Sequence, residues 1–124
     1  MTDGTGHPTA KEALNTVRRC SEDLVADRVK PYDAGREMWG EAMGGAIEDG
    51  IDGEHCQALW LLWGALIDWV AAKPDETTQA ERAMRRAAGE WLEVRLDPRL
   101  WRPFFERWLY EELGYERPSP SSPS

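Results

Sequence analysis

The sequence predicts an all-α fold, a single compact bundle of about five helices, on three observations. Apolar residues recur at three- and four-residue spacing over most of the chain, and no run alternates in the way a half-buried strand would. Proline and glycine stand where one periodic segment gives way to the next, at Lys30-Pro31, Gly50 to Gly53, Pro74 and Asp97-Pro98. The 124 residues fit one domain. A chain of that size hides roughly 65–70% of the surface its unfolded form exposes, enough for a core without metals or disulfides. Seven tryptophans supply much of that core, each able to bury about 150–250 Å².

No internal repeat and no interdomain linker interrupts the chain. Residues 9–115 are expected to form the helical domain. Residues 1–8, and residues 116–124 with their PSPSSPS run, carry too few apolar side chains to be anchored and are expected to be disordered tails.

The first helix is expected from Ala10 to Val29, with Ala13, Leu14, Val17, Cys20, Leu24 and Val25 on one face and Thr9 as N-cap. Lys30-Pro31 closes it, because proline disfavours the α conformation in the residue before it. The same proline opens the second helix at its first position. There Tyr32, Trp39, Met43, Ala46 and Ile47 are predicted to share the apolar face, with Glu37, Glu41 and Glu48 opposite. Gly35, Gly40, Gly44 and Gly45 each cost about 0.8–1 kcal/mol relative to alanine, so this helix needs tertiary support. Gly40-x-x-x-Gly44 reads as close approach by a neighbouring helix, or as fraying after Met43.

An acidic turn from Glu48 to Glu54 leads to a central third helix expected over Glu54–Ala72. Leu59, Trp60, Leu62, Trp63, Leu66, Ile67, Trp69 and Val70 sweep half its circumference, and Asp68 looks outward. Pro74 breaks the pattern. Asp75 is one candidate N-cap for the fourth helix, and Thr78 with Glu81 forms a candidate capping box. Ala80, Ala83, Met84, Ala87, Trp91 and Val94 make its narrow apolar stripe. Asp97-Pro98 then opens a fifth helix carrying Leu100, Trp101, Phe104, Phe105, Trp108 and Leu109. Pro103 is expected to split that helix, Gly114 to end it, and Tyr115 to fold back on Leu109 or Tyr110.

The chemistry-bearing signatures are mostly missing. HExxH, Walker A, GxSxG and dinucleotide GxGxxG patterns do not occur. An EF-hand register started at Glu48 places Gly50 third and Leu59 twelfth, without the bidentate carboxylate that calcium requires. His55 and Cys56 follow Asp52 and Glu54, but adjacent helical residues point about 100° apart and rarely share an ion. The cluster therefore reads as an acid-rich helix N-terminus. Cys20 and Cys56 lack zinc or disulfide spacing and read as reduced thiols at the core edge. No metal and no cofactor is expected.

Charge is the uncommon feature. The formal net charge is −8. Between Arg36 and Lys73 there are seven carboxylates and no lysine or arginine, whereas Arg82 to Arg107 holds seven arginines against four acids. One reading pairs the acids of the second helix internally with the arginines of the fourth and fifth. Another is an exposed acidic patch that recruits a basic partner. A nucleic-acid contact through Arg82, Arg85 and Arg86 is opposed by the overall charge and by the lack of a recognised motif. The apolar stretch Ala58–Ala72 falls short of the ~20 residues a membrane span needs, and no basic leader precedes an apolar run, so a cytoplasmic protein is expected.

The favoured expectation is thus a small, acidic, non-catalytic interaction module of adaptor, immunity or antitoxin type. It would bind a basic protein partner through Glu37, Glu41, Glu48, Asp49, Asp52 and Glu54. The alternative is a metal-binding protein or hydrolytic enzyme built on Glu37, Glu41, Asp52 and His55. Seven tryptophans are also more than a five-helix core must hide, which makes Trp101, Phe105 and Trp108 candidates for a homodimer interface.

Overall fold

The computed structural model of the chain describes residues 9–114. The tails expected at residues 1–8 and 116–124, and the fold-back expected of Tyr115, lie outside the described residues. Among those described, the chain forms five α-helices and no strand: α1 (Ala10–Val25), α2 (Pro31–Gly45), α3 (Ile51–Ala72), α4 (Thr77–Val94) and α5 (Pro98–Glu106). A 3₁₀ turn over Pro74–Glu76 precedes α4, and a π-helical segment over Arg107–Glu112 extends α5. No helix among the described residues is long and apolar enough to cross a membrane.

Thr9 caps α1 as expected, and its hydroxyl accepts from the Glu12 amide while the Glu12 carboxylate accepts from the Thr9 amide. The helix ends at Val25, four residues before the expected Val29. Asp27 takes a left-handed conformation (φ 60°), the role glycine usually fills after a helix. Its amide donates to the Leu24 carbonyl and that of Arg28 to Asp23, the two bonds of a Schellman ending. Ion pairs from Arg28 to Asp23 (2.8 Å) and from Arg85 to Asp27 (2.7 Å) hold the turn.

The inward face of α2 departs from expectation. Ala34, Gly35, Met38, Ala42 and Gly45 are buried, while Met43 and Ile47 are exposed. The physical reason is backbone approach. A Cβ on Gly45 would lie 2.7 Å from Cys56 Sγ, 2.9 Å from Ala13 Cβ and 3.0 Å from Ala10 Cα. Only hydrogen fits where α1, α2 and α3 converge. Gly40, by contrast, has open space around it. The close approach therefore sits at Gly45, and not at Gly40.

The α2–α3 turn depends on a second such contact. Gly50, at φ 96°, precedes α3, and a Cβ on Gly53 would meet the Glu48 carbonyl oxygen. The helix can then begin at Ile51, three residues before the expected Glu54. Leu59, Leu62, Trp63 and Leu66 of α3 are fully buried and form the middle of the core with Val17, Leu24, Met38 and Met84. Thr77, with Glu76 ahead of it, starts α4 in place of the expected Asp75 or Thr78 cap, and its hydroxyl donates to the Pro74 carbonyl.

Asp97 caps α5 by accepting from the Arg99 amide. Pro103 does not split this helix. It lies on the exposed side and in the second turn, where the missing N–H costs one bond. Glu90 of α4 fastens the start of the π-helical segment. Its carboxylate accepts from Trp108 Nε1 (2.8 Å) and pairs with Arg107 and Arg86. Arg86 also reaches Glu112 and lies 4.8 Å above the Trp108 ring. Gly114, at φ 79°, supplies the expected left-handed ending.

These contacts predict opposite effects for the same substitution at two glycines of α2. Gly40→Ala should raise stability by about 0.5–1 kcal/mol through helix propensity. Gly45→Ala should lower it by about 1–3 kcal/mol through overpacking. Urea unfolding followed by circular dichroism measures both.

Candidate docking surface

The phase of α2 places apolar side chains on the outside of the bundle. Met43 of α2 and Ala46 and Ile47 just after it face Gln57, Trp60 and Leu61 of α3 across a groove with a volume of about 290 Å³. Ile47 is 65% exposed and Leu61 48%. Gln57 Nε2 donates to the Ala46 carbonyl (3.1 Å), which ties the two walls together. The apolar lining is contiguous and not a scatter of single residues.

The run Trp60-Leu61-Leu62-Trp63 carried a signal for this surface. Four successive residues turn through about 300° around a helix, so they cannot all face one core. Leu62 and Trp63 point inward, while Trp60 and Leu61 are left outside.

The carboxylates expected to form the partner surface separate into two groups. Glu37 pairs with Arg19 of α1 at 3.4 Å, and Glu48 Oε2 accepts from the Ala10 amide at 2.8 Å, stabilising the N-terminus of α1. Glu41, one turn from Glu37, shares that α1-facing edge. Asp49 lies exposed in the turn, and Glu54 and Asp68 are exposed on the outer stripe of α3 that also carries Gln57 and Leu61. Asp52 is half-buried next to His55 and Cys56. Among the described residues, Glu41, Asp49, Asp52, Glu54 and Asp68 take part in no ion pair.

Four arginines of the C-terminal half find partners elsewhere. Arg85 pairs with Asp27, Arg86 and Arg107 with Glu90, and Arg99 with Asp97. Internal pairing between the acids of α2 and α3 and the arginines of α4 and α5 does not occur among the described residues.

Of the expected dimer residues, Trp108 is 1% exposed, Phe105 is buried and Trp101 is half-buried, while Leu96 and Leu100 near them in sequence are exposed. Trp101 packs edge-on against the His55 ring, and Phe105 stacks near it. Burial drives the His55 pKa down to about 4, against a smaller upward pull from Asp52. Burial first, and then nearby carboxylates, raise Cys20 to about 12 and Cys56 to about 11, so both thiols stay protonated and unreactive at neutral pH. No three metal-ligating side chains converge among the described residues. Glu37, turned toward α1, does not share a cleft with His55, which packs on α5.

No family model, curated protein or solved structure matches the chain.

The buried neutral His55 predicts a pH dependence. The unfolded chain binds a proton near pH 6.5, while the folded chain resists it down to about 4. This contribution to stability is therefore complete above pH 6.5 and is lost as pH falls toward 4, with a slope of at most about 1.4 kcal/mol per pH unit. Urea midpoints measured between pH 7 and 4 should show a shallower decline for His55→Leu than for the unaltered chain.

Proposed function

We propose that the chain is a non-catalytic protein-interaction module that receives a basic, amphipathic helix of a partner protein on its α2–α3 face. One observation carries this reading: a contiguous exposed apolar groove is bordered by unpaired carboxylates with no lysine or arginine between Arg36 and Lys73. A helix laid in such a groove buries apolar anchors spaced one turn apart. Cations on its flanks meet Asp49, Glu54 and Asp68. Complementary charge of this kind raises the association rate and selects the partner, while the apolar groove supplies most of the affinity.

The same charge disfavours a second copy of this chain as the occupant. Two such faces would bring like charges together, and such juxtaposition costs several kcal/mol. The reading also narrows the acidic surface first expected, because Glu37 and Glu48 already serve α1.

A labelled synthetic amphipathic helix of leucine and lysine is a direct probe, with fluorescence anisotropy as the readout. It should bind the unaltered chain. Trp60→Ala with Leu61→Ser should weaken binding by about tenfold or more, a loss typical of central anchors. Glu54→Lys with Asp68→Lys should reduce both the affinity and its salt dependence. Equal binding of a scrambled peptide of the same composition, or no change in the Trp60/Leu61 variant, would contradict the proposal.

A further inference from the structure

The groove between α2 and α3 has two chemically different ends. The helices run antiparallel: a Cβ on Gly35 would lie 3.1 Å from Ile67 Cγ2, one on Gly64 3.1 Å from Trp39, and one on Gly45 2.7 Å from Cys56 Sγ. Positions that rise along α2 therefore fall along α3. Met43 and Ile47 stand opposite Gln57, Trp60 and Leu61 near the α2–α3 turn. Arg36 precedes Met43 by seven residues, and Asp68 follows Leu61 by seven. Seven residues make two helical turns, about 10 Å, and come back to within about 20° of the same face. Arg36 and Asp68, both exposed, thus continue the two walls of the groove away from the turn. Glu54, exposed and seven residues before Leu61, continues the α3 wall in the other direction.

The charges sort by end. At the turn stand Glu48, Asp49, Asp52 and Glu54, and no lysine or arginine occurs from residue 37 to residue 72. Glu48 is held by the Ala10 amide and Asp52 is half-buried, which leaves Asp49 and Glu54 to meet an incoming cation. The cations of the two helices and their flanks, Lys30, Arg36 and Lys73, all stand at the opposite end. Asp33 and Asp68, with Asp75 and Glu76 in the 3₁₀ turn, share that end with them. None of the three cations takes part in an ion pair among the described residues. One end is purely acidic, and the other is mixed.

A helix seated in the groove spans both ends. Glu54 and Asp68 stand two heptads apart on α3, about 21 Å, which a helix of about 14 residues laid along α3 covers. Cations over the turn end meet Asp49 and Glu54 with no like charge near them. Cations over the other end approach Arg36 and Lys73, whose repulsion offsets the attraction of Asp68. Resting on the interaction-module reading above, we infer that the partner helix is itself charge-polarised. Its basic residues are concentrated in one half, which lies over Asp49 and Glu54, and the half beside Arg36 carries no net positive charge.

Two synthetic helices of about 18 residues test this, with blocked ends, a leucine face and equal numbers of lysine and glutamine. One carries its lysines in a single half, and the other spreads them evenly. By fluorescence anisotropy with the full chain at low salt, the polarised peptide should bind at least about threefold more tightly, and the gap should narrow at about 0.5 M salt. A benzophenone on its lysine end should crosslink within residues 47–57, and one on its glutamine end within 33–40 or 64–72, as located by mass spectrometry. Arg36→Glu with Glu54→Lys, both at exposed positions, should exchange the two crosslinking patterns. Equal affinity of the two peptides, or lysine-end crosslinks found as often beside Arg36 as beside Glu54, would overturn the polarity and leave the groove as a docking site. Failure of both peptides to bind would overturn the docking site and the polarity together.

Discussion

Contact of backbone with neighbouring atoms at Gly45 and Gly53 is the constraint on which the rest of the molecule depends. With no Cβ at Gly45, α2 presses against Ala10 and Ala13 of α1 and Cys56 of α3. With none at Gly53, the first turn of α3 seats on the Glu48 carbonyl. Glu48 then reaches the Ala10 amide, and the Cys56 thiol reaches the Ala10 carbonyl at 3.6 Å. Three helix ends are tied at one corner. Once that corner is set, the small side of α2 must face inward, and Met43, with Ile47 in the turn after the helix, is left outside beside Trp60 and Leu61. The exposed groove is thus a consequence of the glycines and not a separate feature.

Electrostatics follows the same logic of local pairing. Arg85, Arg86, Arg99 and Arg107 fasten α4, α5 and the end of α1, with Glu90 binding Arg86, Arg107 and Trp108 together. The carboxylates of α3 have no such partners, so the negative charge between Arg36 and Lys73 stays largely uncompensated on one side. On another face, Lys11 and Arg95 are cations in no ion pair among the described residues. The molecule carries two surfaces of contrasting chemistry on one small bundle.

Much of the fold was legible in the sequence. The Thr9 and Asp97 caps, Pro31 and Pro98 at helix starts and the Gly114 ending all follow from local rules, and each is found where those rules place it. The phase of α2 was not legible in the same way. Hydrophobic periodicity favoured Met43 and Ile47 as core residues, but it takes no account of how closely neighbouring backbones pack, and Gly45 reversed the outcome. The Val25 ending of α1 was hidden for a related reason: the left-handed position is held by Asp27, whose ion pair with Arg85 bridges 58 positions of sequence. The candidate groove was half visible in the Trp60 to Trp63 run.

The orientation of α2 is the claim from which the acidic, apolar face derives, and its methionines report on it directly. Met43 is 42% exposed, whereas Met38 and Met84 are fully buried. Limited oxidation of the native chain with hydrogen peroxide, read as methionine sulfoxide at each position by peptide mass spectrometry, compares them in one sample. Met43 should be oxidised at least about tenfold faster than Met38 and Met84, since access governs susceptibility. Oxidation of Met38 at the rate of Met43, or faster, would contradict this arrangement of α2 and with it the groove.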